Sequence, residues 1–187
     1  MTKRSLSEFC LRHSCVVMLL WGLSAPWAAA GPAQDTELAE AEFARGDLVA
    51  SLGLWKKAAE QGYAPAQARM GDMLDKAEED EAAVEWYRKA AAQGNAAGED
   101  GLGQMYAKGE GVKKDIEQAL LYIQKAADKN YVPSLLALMD AYRRGGLGVV
   151  ADAGKADALE ARVIALMPSY KKTLEKPVVK AKRGNVR

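Results

Sequence analysis

The chain has 187 residues, a net charge of +1, 49% apolar residues and 27% charged ones. That is enough for one domain of ordinary size, and the overall balance gives no sign of a polyanionic partner. With two cysteines and one histidine, the chain has few residues for metal or nucleophile chemistry.

The charge is unevenly spread. Residues 1–30 carry Lys3, Arg4 and Arg12 against Glu8, a net of +2. Residues 171–187 carry Lys171, Lys172, Lys176, Lys180, Lys182, Arg183 and Arg187 against Glu175, a net of +6. The body, 31–170, therefore holds −7 of the whole-chain +1. An acidic body between two basic ends is a real asymmetry.

The N-terminus predicts a secretory signal peptide over 1–30. Lys3, Arg4 and Arg12 form a positive start, and Cys15 to Leu23 a short apolar run. Pro26 breaks the run, and Ala28-Ala29-Ala30 offers the small residues a signal peptidase reads, with the cut after Ala30. The expected location is periplasmic or secreted. The alternative is an N-terminal membrane anchor, but the run is short of the roughly 20 residues a spanning helix needs. No cysteine stands at the cut, which argues against a lipoprotein.

Cleavage there removes Cys10, Cys15 and His13 together. The remaining chain has no disulfide and no Cys/His zinc site. It also has no Ser-His or Cys-His nucleophile pair. The reading is a protein that is not an enzyme, with no catalytic, cofactor-binding or metal residues. Carboxylate chemistry stays open. The densest acidic run, Glu78-Glu79-Asp80-Glu81, lies at a predicted helix start, where acids favour the helix dipole.

From residue 47 a repeat governs the chain. Lys57-Ala58-Ala59-Glu60-Gln61-Gly62 recurs as Lys89-Ala90-Ala91-Ala92-Gln93-Gly94 and as Lys125-Ala126-Ala127-Asp128-Lys129-Asn130, at steps of 32 and 36 residues. Large residues precede each copy: Leu54-Trp55, Trp86-Tyr87, Tyr122-Ile123. A second pattern follows each copy: Ala68 to Leu74, Asp100 to Tyr106, Leu136 to Tyr142. Apolar residues three and four apart predict one helix before and one after each Gly or Asn, which tolerates a left-handed cap. Loops Gly109 to Asp115 and Gly146 to Asp152 then return the chain. Asp115 and Asp152 are the expected N-caps, and Val112 and Val149 the expected buried pins. The alanines let antiparallel helices approach, with Trp86 and Tyr122 filling the wider gap beside them. Trp55 and Tyr87 are read as core with them.

This pattern resembles the Sel1-like repeat, a relative of the tetratricopeptide repeat. The resemblance rests on Ala83 to Gly94, continued by Leu102 to Tyr106 and Gly109 to Asp115, and covers about 47–152. The first unit departs from it, with Asp75 to Glu79 in place of the glycine loop. The expected fold is an all-α helix–turn–helix solenoid over 31–170. It has about three full Sel1-like repeats (47–78, 79–114 and 115–151), with partial capping repeats at Leu38–Gly46 and 152–167. The resemblance implies seven or eight helices in a right-handed superhelix. A short further helix is expected between Pro168 and Pro177, within a basic, largely disordered tail over 171–187.

Such a solenoid offers an extended concave face, which suits peptides and protein edges. The resemblance implies a non-catalytic adaptor or scaffold in the bacterial cell envelope, as in exopolysaccharide export, sensor signalling, flagellar motor assembly or contact with host proteins. Alternatives are a regulator that docks on a periplasmic enzyme or sensor, and an enzyme acting on peptidoglycan or β-lactams. The last is ascribed to disulfide-rich relatives whose cysteines this body lacks. By the same resemblance the first helix of each unit lines the concave side. Its non-core residues Lys56, Glu60, Glu85, Arg88, Gln124 and Asp128 are the binding candidates, with Tyr63 and Tyr131 at the turns. The expected partner is a protein or peptide. No nucleic acid is expected, because no aromatics interleave the basic tail. The tail offers at most weak electrostatic membrane contact.

Overall fold

The computed structural model describes residues 31–174. The expected leader over 1–30 and the tail from 175 onward lie outside them. The order is α1 (Pro32–Arg45), α2 (Leu48–Glu60), α3 (Ala64–Lys76), α4 (Asp80–Ala92), α5 (Ala96–Lys108), α6 (Ile116–Asp128), α7 (Val132–Arg144), α8 (Ala153–Leu166) and α9 (Pro168–Leu174). Among the described residues there is no strand. The fold is the expected all-helical solenoid. The short α9 stands where a further helix was expected after Pro168.

The caps explain the repeat. Gly62, Gly94 and Asn130 all have positive φ (86°, 73° and 61°), so each KAA-type helix ends in a left-handed residue. Asp115 and Asp152 accept from the backbone N–H groups of Gln118 and Lys155, each at 3.0 Å. These caps leave residues 115 and 152 in nearly one conformation (φ −147° and −146°). Pro65 and Pro133 sit in the first turns of α3 and α7, where the missing N–H costs nothing. Val112 packs on the core as expected. In the following loop Leu147, and not Val149, is the residue packed on the core. That loop is one residue longer, from Gly145 to Asp152, which shifts the pin.

The helices pack as a two-layer stack. Each odd helix packs on the even helices beside it, and α3 also packs on α5 and more lightly on α1. No comparable contact joins α2 to α4 or α4 to α6. From α1 to α5 the odd helices therefore pack on one another as an inner layer, and the even helices stand apart as the outer one. Glycine makes this possible. A Cβ on Gly71 of α3 or on Gly101 of α5 would overlap the Tyr87 ring, so the ring of Tyr87 lies between two inner helices. Trp55 and Tyr87 are buried as expected. Trp86 and Tyr122 are only half-buried, and Ile123 takes the inner place beside Tyr122.

Neighbouring units are joined by polar clamps at equivalent positions. Gln93 Nε2 donates to Gln67 Oε1 at 2.7 Å, and one unit on Lys129 Nζ meets Glu99 Oε2 at 2.6 Å. At the first junction Lys57 Nζ stands 2.8 Å from Asp35, at an angle too poor for a hydrogen bond. Glu99 is buried while Lys129 is partly exposed. Lys129→Ala is expected to cost about 1–3 kcal/mol, because it strands a buried carboxylate and the cation it loses was half in water. Adding Glu99→Gln should recover most of that loss in urea unfolding. A double variant as unstable as the single would show that the clamp acts through packing alone.

Candidate functional site

The inner layer carries a groove of about 250 Å³ that crosses the odd helices. Thr36 and Glu40 of α1 form one side. Ala68, Arg69 and Asp72 of α3 form the floor, and Asn95 and Ala97 at the start of α5 the far side. Tyr131, just before α7, closes its end. Side chains from four successive hairpins reach the same space because the small residues of α3 and α5 hold these helices close.

Its polar groups are fixed before any partner arrives. Arg69 Nε donates to Glu40 Oε1 at 2.6 Å, tying α3 to α1, and its Nη1 lies 3.4 Å from Asp72 Oδ2. Tyr87 Oη donates to Asp72 Oδ1 at 2.9 Å from the outer layer. Behind Asp72, Asp100 accepts from Ser134 Oγ and from Gln104 Nε2. Burial pushes the Asp72 carboxyl above its ordinary value, against the Tyr87 bond and Arg69. Burial also raises Asp100, against the Ser134 and Gln104 bonds. The Tyr131 hydroxyl is raised first by burial and then by the charges of Asp100 and Asp72. The groove is thus acidic, with one arginine held inside it and tyrosine and asparagine at its rim.

These shifts set a pH dependence. An aspartate whose folded pKa lies above the ordinary 3.8 binds protons more readily folded than unfolded. Its stabilising contribution is full below 3.8 and is lost as pH rises through the folded pKa. Asn mimics the protonated acid. The stability of Asp100→Asn relative to wild type should therefore improve from pH 3.5 to pH 7 in urea titrations. A difference that stays flat, or turns against the variant, would contradict the burial of Asp100.

The concave side was expected on the first helix of each unit, and this groove lies on the second. Lys56, Glu60, Glu85, Arg88, Gln124 and Asp128 lie on α2, α4 and α6, the outer layer. Glu85 and Arg88 pair with each other at 2.6 Å, and Gln124 bonds Asp128 at 2.8 Å. Arg88 borders a shallow depression with Tyr106 and the 111–115 loop. Tyr63 is half-buried against the first core cluster. Of the eight candidates, only Tyr131 reaches the inner groove. The residues missed were Glu40, Arg69, Asp72 and Asn95. A signal existed for Asp72, since Asp72, Gln104 and Asp140 recur as one polar position in the second helix of each unit.

Among the described residues no three His, Cys, Asp or Glu side chains converge to hold a metal ion. Nor is any described helix long and apolar enough to cross a membrane.

A family model for the Sel1 repeat matches residues 43–63, 64–95 and 96–131. Over residues 43–131 the solenoid is similar to three Sel1 repeats. The matched Sel1 segments begin at α3 and α5, so the family counts the inner helix first. They share the period of the units at 47–78, 79–114 and 115–151 but differ from them in phase by one helix. Similar solved structures agree. One is a protective antigen present in uropathogenic Escherichia coli strains and displaying an SLR fold, at 30% identity and a TM-score of 0.61. The alignment covers 73% of this chain and 31% of that one. Another is a Sel1 repeat protein from Oxalobacter formigenes, at 28% identity and a TM-score of 0.60, over 78% of this chain and 44% of that one. The chain thus spans less than half the length of either. No curated protein matches it by sequence. Sel1 repeats generally mediate protein–protein interactions as non-catalytic scaffolds.

Proposed function

We propose that this Sel1 chain is an exported adaptor, which holds a protein or peptide partner in the bacterial envelope through its inner groove. The observation that carries this reading is the groove itself. It is lined from four hairpins and presents side chains already oriented by hydrogen bonds. An extended segment laid there touches several repeats at once, which is how a solenoid gains area without a deep cavity. Preformed polar groups also lower the ordering cost of binding.

Export rests on the basic start, apolar run and Ala28-Ala29-Ala30 of the leader. One similar structure is of a protective antigen, which fits display outside the cytoplasm. In fractionated cells the processed protein should begin at Gly31 and leave the cytoplasm. Chemical crosslinking of a tagged chain should then capture a discrete envelope protein, and Arg69→Glu should lose it by breaking the Glu40 bridge and adding charge to the groove. An uncut chain in the cytosol would refute export. Undiminished capture by Arg69→Glu would refute the groove.

A further inference from the structure

The outer helices stand apart, and the first two gaps between them hold aromatic rings. Trp86 packs on the first core cluster between α2 and α4. Between α4 and α6, Tyr122 stacks on Tyr106 with ring centroids 6.0 Å apart and planes at 4°. The third gap, between α6 and α8, breaks the pattern. Asp152, Ala156 and Val163 hold the places of Asp115, Ala119 and Ala126, each alanine and the valine fully buried. In that register Leu159 stands where Tyr122 and Trp86 stand. Tyr142 still holds the place of Tyr106: the carbonyls of Tyr106 and Tyr142 accept the returning loop from Asp115 and Asp152 at 3.0 and 2.8 Å. Among the described residues, however, no ring stacks on Tyr142. A pocket of about 230 Å³ opens there instead, floored by Leu138, Leu159 and Ala158.

Two cations border it. Lys155 Nζ sits over the Tyr142 ring, 5.0 Å from its centre, so a ring stacking on that face must draw the flexible lysine aside. Arg162 Nη2 is anchored to Ala127 O at 3.0 Å and Asn130 Oδ1 at 2.8 Å. Neither has a carboxylate partner among the described residues, in a body whose net charge is −7. The pocket is a local positive point above an apolar floor.

We propose that this pocket binds a partner peptide presenting an aromatic side chain beside a carboxylate. The ring stacks on Tyr142 as Tyr122 stacks on Tyr106, over Leu138 and Leu159. The carboxylate meets Lys155 and Arg162 in charge-assisted bonds. Gln124, whose amide nitrogen is committed to Asp128, keeps its oxygen free to accept a backbone N–H of the peptide. The site lies on the outer layer and stands whether or not the inner groove binds.

The test uses the purified chain and a fluorescein-labelled peptide with one Asp-Trp pair in a Gly-Ser background, read by anisotropy at low salt. Saturable binding is expected, weakened at least about tenfold when the peptide carries Asn-Trp or Asp-Ala instead. Lys155→Ala should weaken it similarly. Leu159→Tyr should abolish it by rebuilding the missing stack, with the melting temperature held or raised. The melting temperature, read on the same sample, separates its loss of binding from unfolding. Equal binding of the three peptides, unchanged affinity in Leu159→Tyr, or no saturation at millimolar peptide would each overturn the proposal. So would binding of free N-acetyl-tryptophan but not of the peptide.

Discussion

Tyr87→Ala is expected to destabilise the solenoid by about 3–5 kcal/mol, measured by urea unfolding. Tyr87 is 3% exposed, and its ring separates the backbones of α3 and α5 at Gly71 and Gly101. Removing it leaves a void between two inner helices that the chain cannot readily close, because both flanking residues are already glycine. It also frees Asp72, a half-buried carboxylate, from its 2.9 Å hydrogen bond. Tyr87→Phe separates the two effects. It keeps the wedge and removes only the bond, so it should cost about 1–2 kcal/mol. Equal losses in the two variants would mean that the hydrogen bond, and not the ring, holds the inner layer.

Ala90→Leu should lower stability by about 1–3 kcal/mol and sit at the upper end of that range. Ala90 is fully buried, and a Cβ placed on Gly98 would already overlap its methyl group. The seam between α4 and α5 is therefore closed at the level of one methyl, and three further carbons must displace a helix. Ala92→Leu, on the exposed side of the same helix, is the control and should change stability by no more than about 0.5 kcal/mol. An unchanged melting curve for Ala90→Leu would place Ala90 on the surface and the helix register in error.

Both residues were legible in the sequence because a repeat multiplies its own signal. Three copies of the alanine pair, each preceded by large residues, showed where helices must touch. The glycine and asparagine caps showed where they must end. What stayed hidden was which layer faces inward. Periodicity shows that α4 has a buried face, but the choice of inner layer depends on how α3 meets α5, and that contact is made through glycines that carry no hydrophobic signal. The partner of a wedge such as Tyr87 is an absence of side chain. The expected site residues Lys56, Glu60, Glu85, Arg88, Gln124 and Asp128 therefore fall on the layer opposite the groove. Tyr131 reaches the groove because it sits at a turn, just before α7. The groove charges, Glu40, Arg69 and Asp72, lie 29 and 3 residues apart, with their meaning set by the stack and not by local spacing.

The pocket at Leu159 teaches the converse. There the informative residue is the one that departs from the repeat. Trp86 and Tyr122 look like core by recurrence, and a leucine in the same register reads as ordinary until the space it leaves is seen.

The inner layer is the proposed binding face of this solenoid. The most direct test is site-specific photocrosslinking in cells, with the reactive residue at 97 or 131 in the groove and at 56 or 85 on the outer layer. One discrete adduct is expected from positions 97 and 131, and none of that mass from 56 and 85. Adducts from the outer positions, with silence from the groove, would contradict it.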